Sequence, residues 1–227
     1  MSSVNEAAAP IVVTGGNRGI AGAIAERLGA RAVVWSRSHN GVDVTDVASV
    51  RRASEELLRT RGVPFGLVHG VGCFDEIPLL STTDAQFREL LDSNFTSAFV
   101  VSRALVPAMC EAGRGRVIFF SAAGAEDRTA KTRAPVYFAA KAALTSLARS
   151  LAKEVAPRGV RVNVIAPGII AHPHSHAQSQ ARMASRIPTG RVGSITDLLG
   201  AVELLLGDGG DYITGDVWTI DGGLTLG

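Results

Sequence analysis

Ile11-Val-Val-Thr-Gly-Gly-Asn-Arg-Gly-Ile-Ala-Gly22 passes from four β-branched residues through a glycine-rich turn into an apolar stretch that continues to about Leu28. β-Branched side chains suit a pleated strand. Glycine carries no Cβ, so the backbone can turn tightly and let a ligand approach closely. A helix starting at such a turn offers unpaired amide donors and the positive end of its dipole to an anion. The order strand, turn, helix therefore reads as a pyrophosphate cradle at the first strand of a parallel sheet. The plain alternative is a glycine-rich turn with no ligand, and its place after the first strand weighs against that.

Outward from this stretch, short apolar runs alternate with longer amphipathic segments, the pattern of parallel strands joined by crossover helices. Strands are expected at 11–14, 32–35, 65–69, 116–121, 161–166 and 217–220. Most are continuous apolar runs, as strands buried on both faces should be. The fold class is α/β: a single-domain, Rossmann-like, doubly wound parallel sheet with helices on both faces. The best delimited helix begins near Pro135, which suits a first turn, and ends at Pro157 and Gly159. Only six residues, Ser36 to Gly41, separate Trp35 from the next strand-like piece, Val42-Asp43-Val44. A parallel crossover with its own helix needs about a dozen, so the helix between the second and third strands is expected to be shortened or missing. Either residues 42–44 lie at the sheet edge through an abbreviated connection, or they are not a strand.

With 227 residues, 46% hydrophobic and 19% charged, the chain suits one filled core and excludes a disordered or collagen-like chain. The 23 basic and 21 acidic residues leave a formal charge of +2, too little global field to grip a nucleic acid without a local patch. Cys73 and Cys110 have no metal-ligand spacing and read as reduced thiols. No secretory leader pattern opens the chain. The longest uncharged stretch, 162–181, contains two prolines and three histidines and cannot span a bilayer. A cytoplasmic protein with neither nucleic-acid nor membrane partner is expected.

Thr14-Gly15-x-x-x-Gly19-Ile20-Ala21 resembles the T-G-x-x-x-G-x-G loop of the short-chain dehydrogenase/reductase family, with Ala21 in place of the third glycine. Charge after the second strand speaks to the cofactor. A ribose 2′-hydroxyl calls for a carboxylate there, a 2′-phosphate for cations. Trp35-Ser36-Arg37-Ser38 has no acid, and Arg18 lies in the loop, so the resemblance implies NADP(H). It further implies cofactor contacts at Gly15, Asn17, Arg18, Gly19, Ile20, Arg37, Asp43, Val44, Gly70, Tyr137, Lys141 and Ile170.

Tyr137-Phe-Ala-Ala-Lys141 sets a phenol and an ammonium four residues apart on one helix face. Alone this spacing is weak. Its neighbours are Asn94 in Leu-Asp-Ser-Asn94, Ser121 in Phe-Phe-Ser121-Ala-Ala-Gly, and Asn163-Val-Ile-Ala-Pro-Gly168, followed by Tyr212-Ile-Thr-Gly215 and Asp221-Gly-Gly223. Each resembles the family motif at that place and in that order, over essentially the whole chain. The resemblance implies Tyr137 as proton donor to a carbonyl, Ser121 as hydrogen-bond partner of the same oxygen, and Asn94 as holder of a water beside Lys141. Lys141 is then expected to bind the nicotinamide ribose and to favour the phenolate, whose ordinary pKa near 10 has to fall to roughly 7 for work near neutrality.

Departures are equally legible. About three extra residues separate Ser121 from Tyr137, and 126–133 reads as an exposed charged loop beside the site mouth. His69-Gly70-Val71-Gly72 replaces the family's Asn-Asn-Ala-Gly, losing an asparagine that steadies the sheet. His172 stands where a threonine commonly meets the nicotinamide. His172, His174 and His176 alternate, which makes a metal site conceivable, but residues 177–187 read as a substrate lid and favour lid or substrate contacts; no metal is expected.

The subgroup most similar is the bacterial 3-oxoacyl-[acyl-carrier-protein] reductases, through the loop and Ile187-Pro-Thr-Gly-Arg191. The implied substrate is a small ketone or β-keto acyl thioester, free or borne on an acyl carrier protein. Of the subgroup's two docking arginines, Arg158 matches one, while Ala112 holds the place of the other, with Arg114 two positions on. A homotetramer, or a homodimer, built on the helices around 94–109 and 137–156 is expected by likeness. Two other readings are an alcohol dehydrogenase run oxidatively, disfavoured by the arginines, and a cofactor-binding sensor, disfavoured by the presence of both Tyr137 and Lys141.

Overall fold

The β-branched residues at the start form β1 (Ile11–Thr14), all buried, and the glycine turn hands the chain to α1 (Gly19–Leu28). The computed structural model describes residues 9–171 and 182–226. Within them follow β2 (Ala32–Trp35), α2 (Arg37–Asn40), α3 (Val47–Thr60), β3 (Gly66–His69), α4 (Asp84–Leu91), α5 (Ser97–Glu111), β4 (Gly115–Phe120), α6 (Pro135–Val155), β5 (Val160–Pro167), α7 (Thr196–Leu206) and β6 (Val217–Ile220). The strands form one parallel sheet in the order β2-β1-β3-β4-β5-β6. The chain reverses its direction of winding between β1 and β3, and at such a switch point a crevice opens beyond the carboxyl ends of the strands.

Strand periodicity divides the core. Val12, Leu67, Val117, Phe119, Val162 and Val164 face a cluster with Leu57 of α3, Leu105 of α5 and Leu144 of α6. Their neighbours Ile11, Val13, Val68, Ile118 and Ile165 face Ile24 of α1 and Leu198 and Leu205 of α7. Both sheet faces are thus covered, as the continuous apolar runs require. The helix ends follow local chemistry. Thr83 and Gln86 form a capping box at α4, Asp46 accepts from the Ala48 amide at α3, and Pro135 opens α6.

The helix expected to be shortened or missing between Trp35 and residues 42–44 is shortened: only the four-residue α2 (Arg37–Asn40) stands there. The crossover from β2 to β3 then carries α3, 14 residues long. Residues 42–44 are not a strand, which settles the alternative left open. Val44 is buried against Trp35 and Val50, and the Asp43 amide donates to Ser49 Oγ at 3.0 Å rather than to a ladder. The apolar pair at 42 and 44 looks like a strand because it alternates, but it serves as the loop's anchor to the core.

Candidate active site

Gly15 and Gly19 adopt φ values of 71° and 59°, a region that side chains strain to reach. The space a Cβ would take at Gly19 is open, whereas one at Gly15 would stand 3.1 Å from Val71 Cγ2. The turn is therefore packed behind and open in front of α1, whose first turn has no capping side chain. These features fit a pyrophosphate. Gly70 closes the other side: its amide donates to Thr14 O and Oγ1, both at 3.2 Å, and a Cβ there would stand 2.5 Å from Ala21 Cβ. The methyl that replaces the family's third glycine thus rests directly on Gly70. Ile20 is half-buried at the start of α1.

At the carboxyl end of β2, Asn17 Nδ2 donates to Ser38 Oγ at 2.8 Å, and Ser36 and Ser38 hydroxyls lie 3.3 Å apart. Arg18 and Arg37 are exposed. Arg37 stands 3.9 Å from Asp43. Burial works against the Asp43 carboxylate, but hydrogen bonds from Thr45 and the Arg37 charge outweigh it and hold its pKa below the ordinary value. Two arginines, two serines and an amide surround a place suited to a phosphate. Ile170 lies past the end of β5, where it bridges Gly193.

The helix that carries Tyr137 and Lys141 runs over the ends of β4 and β5. Lys141 Nζ donates to Phe120 O at 2.7 Å and stands 5.8 Å from the Tyr137 ring centre. Asn94 belongs to a π turn, Asp92–Thr96, a distortion that commonly marks functional sites. Its Nδ2 donates to Cys73 O at 2.8 Å and Leu90 O at 3.0 Å, while its fully buried Oδ1 has no partner among the described residues. A Cβ on Gly72 would lie 2.5 Å from that Oδ1 and 3.1 Å from Lys141 Nζ. The two polar atoms therefore converge over Gly72, which must lack a side chain. Ser121 directly follows β4 and is buried against α6, but its hydroxyl donates to Lys141 O at 3.2 Å and receives from Thr145 Oγ1 at 3.1 Å. The structure thus gathers Asn94, Tyr137 and Lys141, with Ser121 turned along α6 away from them.

Electrostatics depart from expectation. Burial pushes the Tyr137 phenol up to about 12, helped by the Cys73 thiol, and pulls Lys141 down to about 8, with Cys73 opposing. The phenol stands among Phe74 and Phe138, ring centres at 4.9 and 5.3 Å, both edge to face. The expected fall of the Tyr137 pKa is not produced by Lys141 in this chain alone, because both groups are desolvated.

Residues the spacing did not reveal surround the site. Phe74 and Cys73 come from the loop after β3, where no periodicity points to them. That loop is tied to the extra residues before α6 by Glu76–Arg133 at 2.6 Å, and Glu126 of the same loop pairs with Arg149 of α6. The charged loop is exposed, as expected, and its Lys131 Nζ stands 5.3 Å from the centre of the Phe138 ring, next to Tyr137. His69 is not a loss. Ser97 Oγ donates to Ser93 O at 2.8 Å, so it can only accept from His69 Nε2 at 3.0 Å. Burial first, then the Lys141 charge, pull the His69 pKa down to about 3. The neutral ring therefore accepts at Nδ1 from Thr14 Oγ1, at 2.9 Å. One imidazole joins β1 to α5. His172, His174 and His176 lie outside the described residues. Among the described residues no group of three or more potential ligands could hold a metal ion, and no helix is long and apolar enough to cross a membrane.

Residues 4–225 match a family model described as enoyl-(acyl carrier protein) reductase. The 3-oxoacyl-[acyl-carrier-protein] reductase MabA of Mycobacterium avium is 35% identical, across 96% of this chain and 90% of that protein. FabG of Escherichia coli, of the same description, is 33% identical across 95% and 96%. A gluconate 5-dehydrogenase from Burkholderia cenocepacia, solved with NADP and tartrate, superposes with a TM-score of 0.87 at 25% identity, covering 96% of each chain. Aldohexose dehydrogenase of Thermoplasma acidophilum shares the fold, with a TM-score of 0.87 at 24% identity over 96% of this chain and 94% of the other.

Proposed function

Since the chain belongs to the short-chain dehydrogenase/reductase family of oxidoreductases, we propose that it reduces the ketone of a β-keto acyl thioester, or a related small ketone, with NADPH. The observation that carries this reading is the Tyr137–Lys141 pair on one face of α6, facing Asn94 beside the open glycine turn. A phenol held near 12 keeps its proton at neutral pH, so Tyr137 is in the form that gives a proton to a carbonyl oxygen. Bound in the crevice, the dinucleotide supplies the hydride. Gly15, Asn17, Gly19, Ile20 and Gly70 line its cradle, Arg18 and Arg37 meet the 2′-phosphate, and Asp43 with Val44 flanks the adenine. Ile170 lies on the nicotinamide side. Lys141 holds the ribose hydroxyls, and Asn94 Oδ1 holds a water that returns a proton through Lys141 to Tyr137. Ser121 turns from Lys141 O to the substrate oxygen.

The thioester reading rests on the two relatives described as 3-oxoacyl reductases and extends to an acyl chain on a carrier protein. The family likeness further supports a dimer or tetramer through α5 and α6. The test is NADPH consumption, with NADH alongside, on acetoacetyl-CoA, crotonyl-CoA and a panel of unrelated ketones. Turnover of acetoacetyl-CoA with NADPH is expected. Turnover of crotonyl-CoA alone would make it an enoyl reductase instead, and preference for NADH would overturn the role given to Arg18 and Arg37.

A further inference from the structure

The α6 face that carries Tyr137 and Lys141 carries another polar side chain one turn further on, Thr145, which is fully buried. A buried threonine inside a helix commonly bonds the carbonyl four residues back, and Thr145 Oγ1 does so, at 3.0 Å from Lys141 O. Nothing in that habit requires its second contact, 3.1 Å from Ser121 Oγ. Ser121 Oγ itself lies 3.2 Å from the same Lys141 O. Three oxygens thus form a closed triangle containing two hydroxyl protons and one carbonyl that only accepts.

Such a triangle has interchangeable proton arrangements. While Ser121 donates to Lys141 O, Thr145 donates to Ser121. When Ser121 swings its proton away, Thr145 donates to Lys141 O in its place. Neither hydroxyl is stranded without a partner in either state, which matters because a buried unpaired hydroxyl is costly. With an aliphatic residue at 145, Lys141 O would be the one partner left to Ser121, and turning away would forfeit it.

We propose that Thr145 is a positioning residue that frees the Ser121 hydroxyl to bond the substrate carbonyl, by taking over its acceptor, Lys141 O. The proposal rests on the reading of Ser121 as the carbonyl's hydrogen-bond partner. Thr145 touches neither substrate nor cofactor and acts through Ser121 alone.

The experiment measures kcat and KM for NADPH reduction of acetoacetyl-CoA in wild type, Thr145→Val and Thr145→Ser, each also in a Ser121→Ala background. Thr145→Val is expected to lower kcat about tenfold, the scale of one hydrogen bond, with the KM for NADPH unchanged. Thr145→Ser, which keeps the hydroxyl and stands in should the valine variant not fold, is expected to remain within about twofold of wild type on the same scale. In the Ser121→Ala background Thr145→Val is expected to add nothing. An equal loss in both backgrounds, no loss in either, or a serine variant as slow as the valine one overturns the proposal. Failure of the underlying readings looks different. Ser121→Ala at wild-type speed removes Ser121 from the chemistry and Thr145 with it. A wild type silent on acetoacetyl-CoA removes only the thioester, and the same variants are then scored on whichever ketone of the panel it reduces.

Discussion

Tyr137 and Lys141 show how far one pair of side chains can be read. Their spacing on a helix, the order of the surrounding motifs and the glycine turn are written in the sequence, because a proton donor and an ammonium must share a face to share a proton. Their charge states are not, since burial among Phe74 and Phe138 is a property of the folded loop. Tyr137→Phe is expected to lower turnover by roughly 10²- to 10⁴-fold while NADPH titrations by fluorescence give an unchanged affinity. Lys141, brought down to about 8 by burial, loses its charge above that pH. The kcat of the wild type is therefore expected to fall above about pH 8, and a profile flat to pH 10 would remove Lys141 from the proton path. Its folded pKa is depressed from the ordinary 10.5, so the linked stability is present above 10.5 and lost as pH falls towards 8. Lys141→Met should accordingly raise the neutral-pH Tm while abolishing turnover.

Among elements, residues 42–44 show why alternation alone left two readings open, while the shortened helix before them, α2, was legible from the six-residue gap. Val42 and Val44 alternate as a strand does, yet the alternation buries a loop under Trp35 rather than adding a ladder. The strands themselves were legible, since a parallel sheet covered on both faces demands unbroken apolar runs. The joint between β1 and α5 was legible only as a missing asparagine. His69 fills it with a longer group, reaching Thr14 on one side and Ser97 on the other. Its folded pKa is depressed from 6.5 to about 3, so its linked stability is whole above pH 6.5 and lost as pH falls towards 3. Denaturant melts should lose about 1.4 kcal/mol per pH unit from this group below 6.5. His69→Asn should flatten that part of the slope, and an unchanged slope would mean that His69 is not the neutral bridge.

For the whole molecule, the doubly wound order explains why residues 15, 70, 72, 94, 137 and 141, scattered in sequence, come together beyond the strand ends. That convergence was legible once the strands were ordered. The turn of Ser121 along α6 and the Glu76–Arg133 tie were not, because both depend on loop packing without periodicity. Phe99 of α5 is 42% exposed, with Arg103 over its ring at 5.6 Å. If α5 and α6 join copies of the chain, Phe99→Glu should shift the mass seen by light scattering towards the monomer. A wild type already monomeric at micromolar concentration would end that reading.

The contact between Ala21 and Gly70 also constrains how this protein can change. There is room for one methyl group between the glycine turn and β3, and Ala21 holds it. An alanine at 70 would collide with Ala21 at 2.5 Å, but with glycine at 21 its tightest neighbour would be Thr14 O at 3.1 Å. The two positions can exchange the methyl only in one order, Ala21→Gly first and Gly70→Ala second. A lineage taking the steps in reverse would pass through a protein with a distorted cofactor loop.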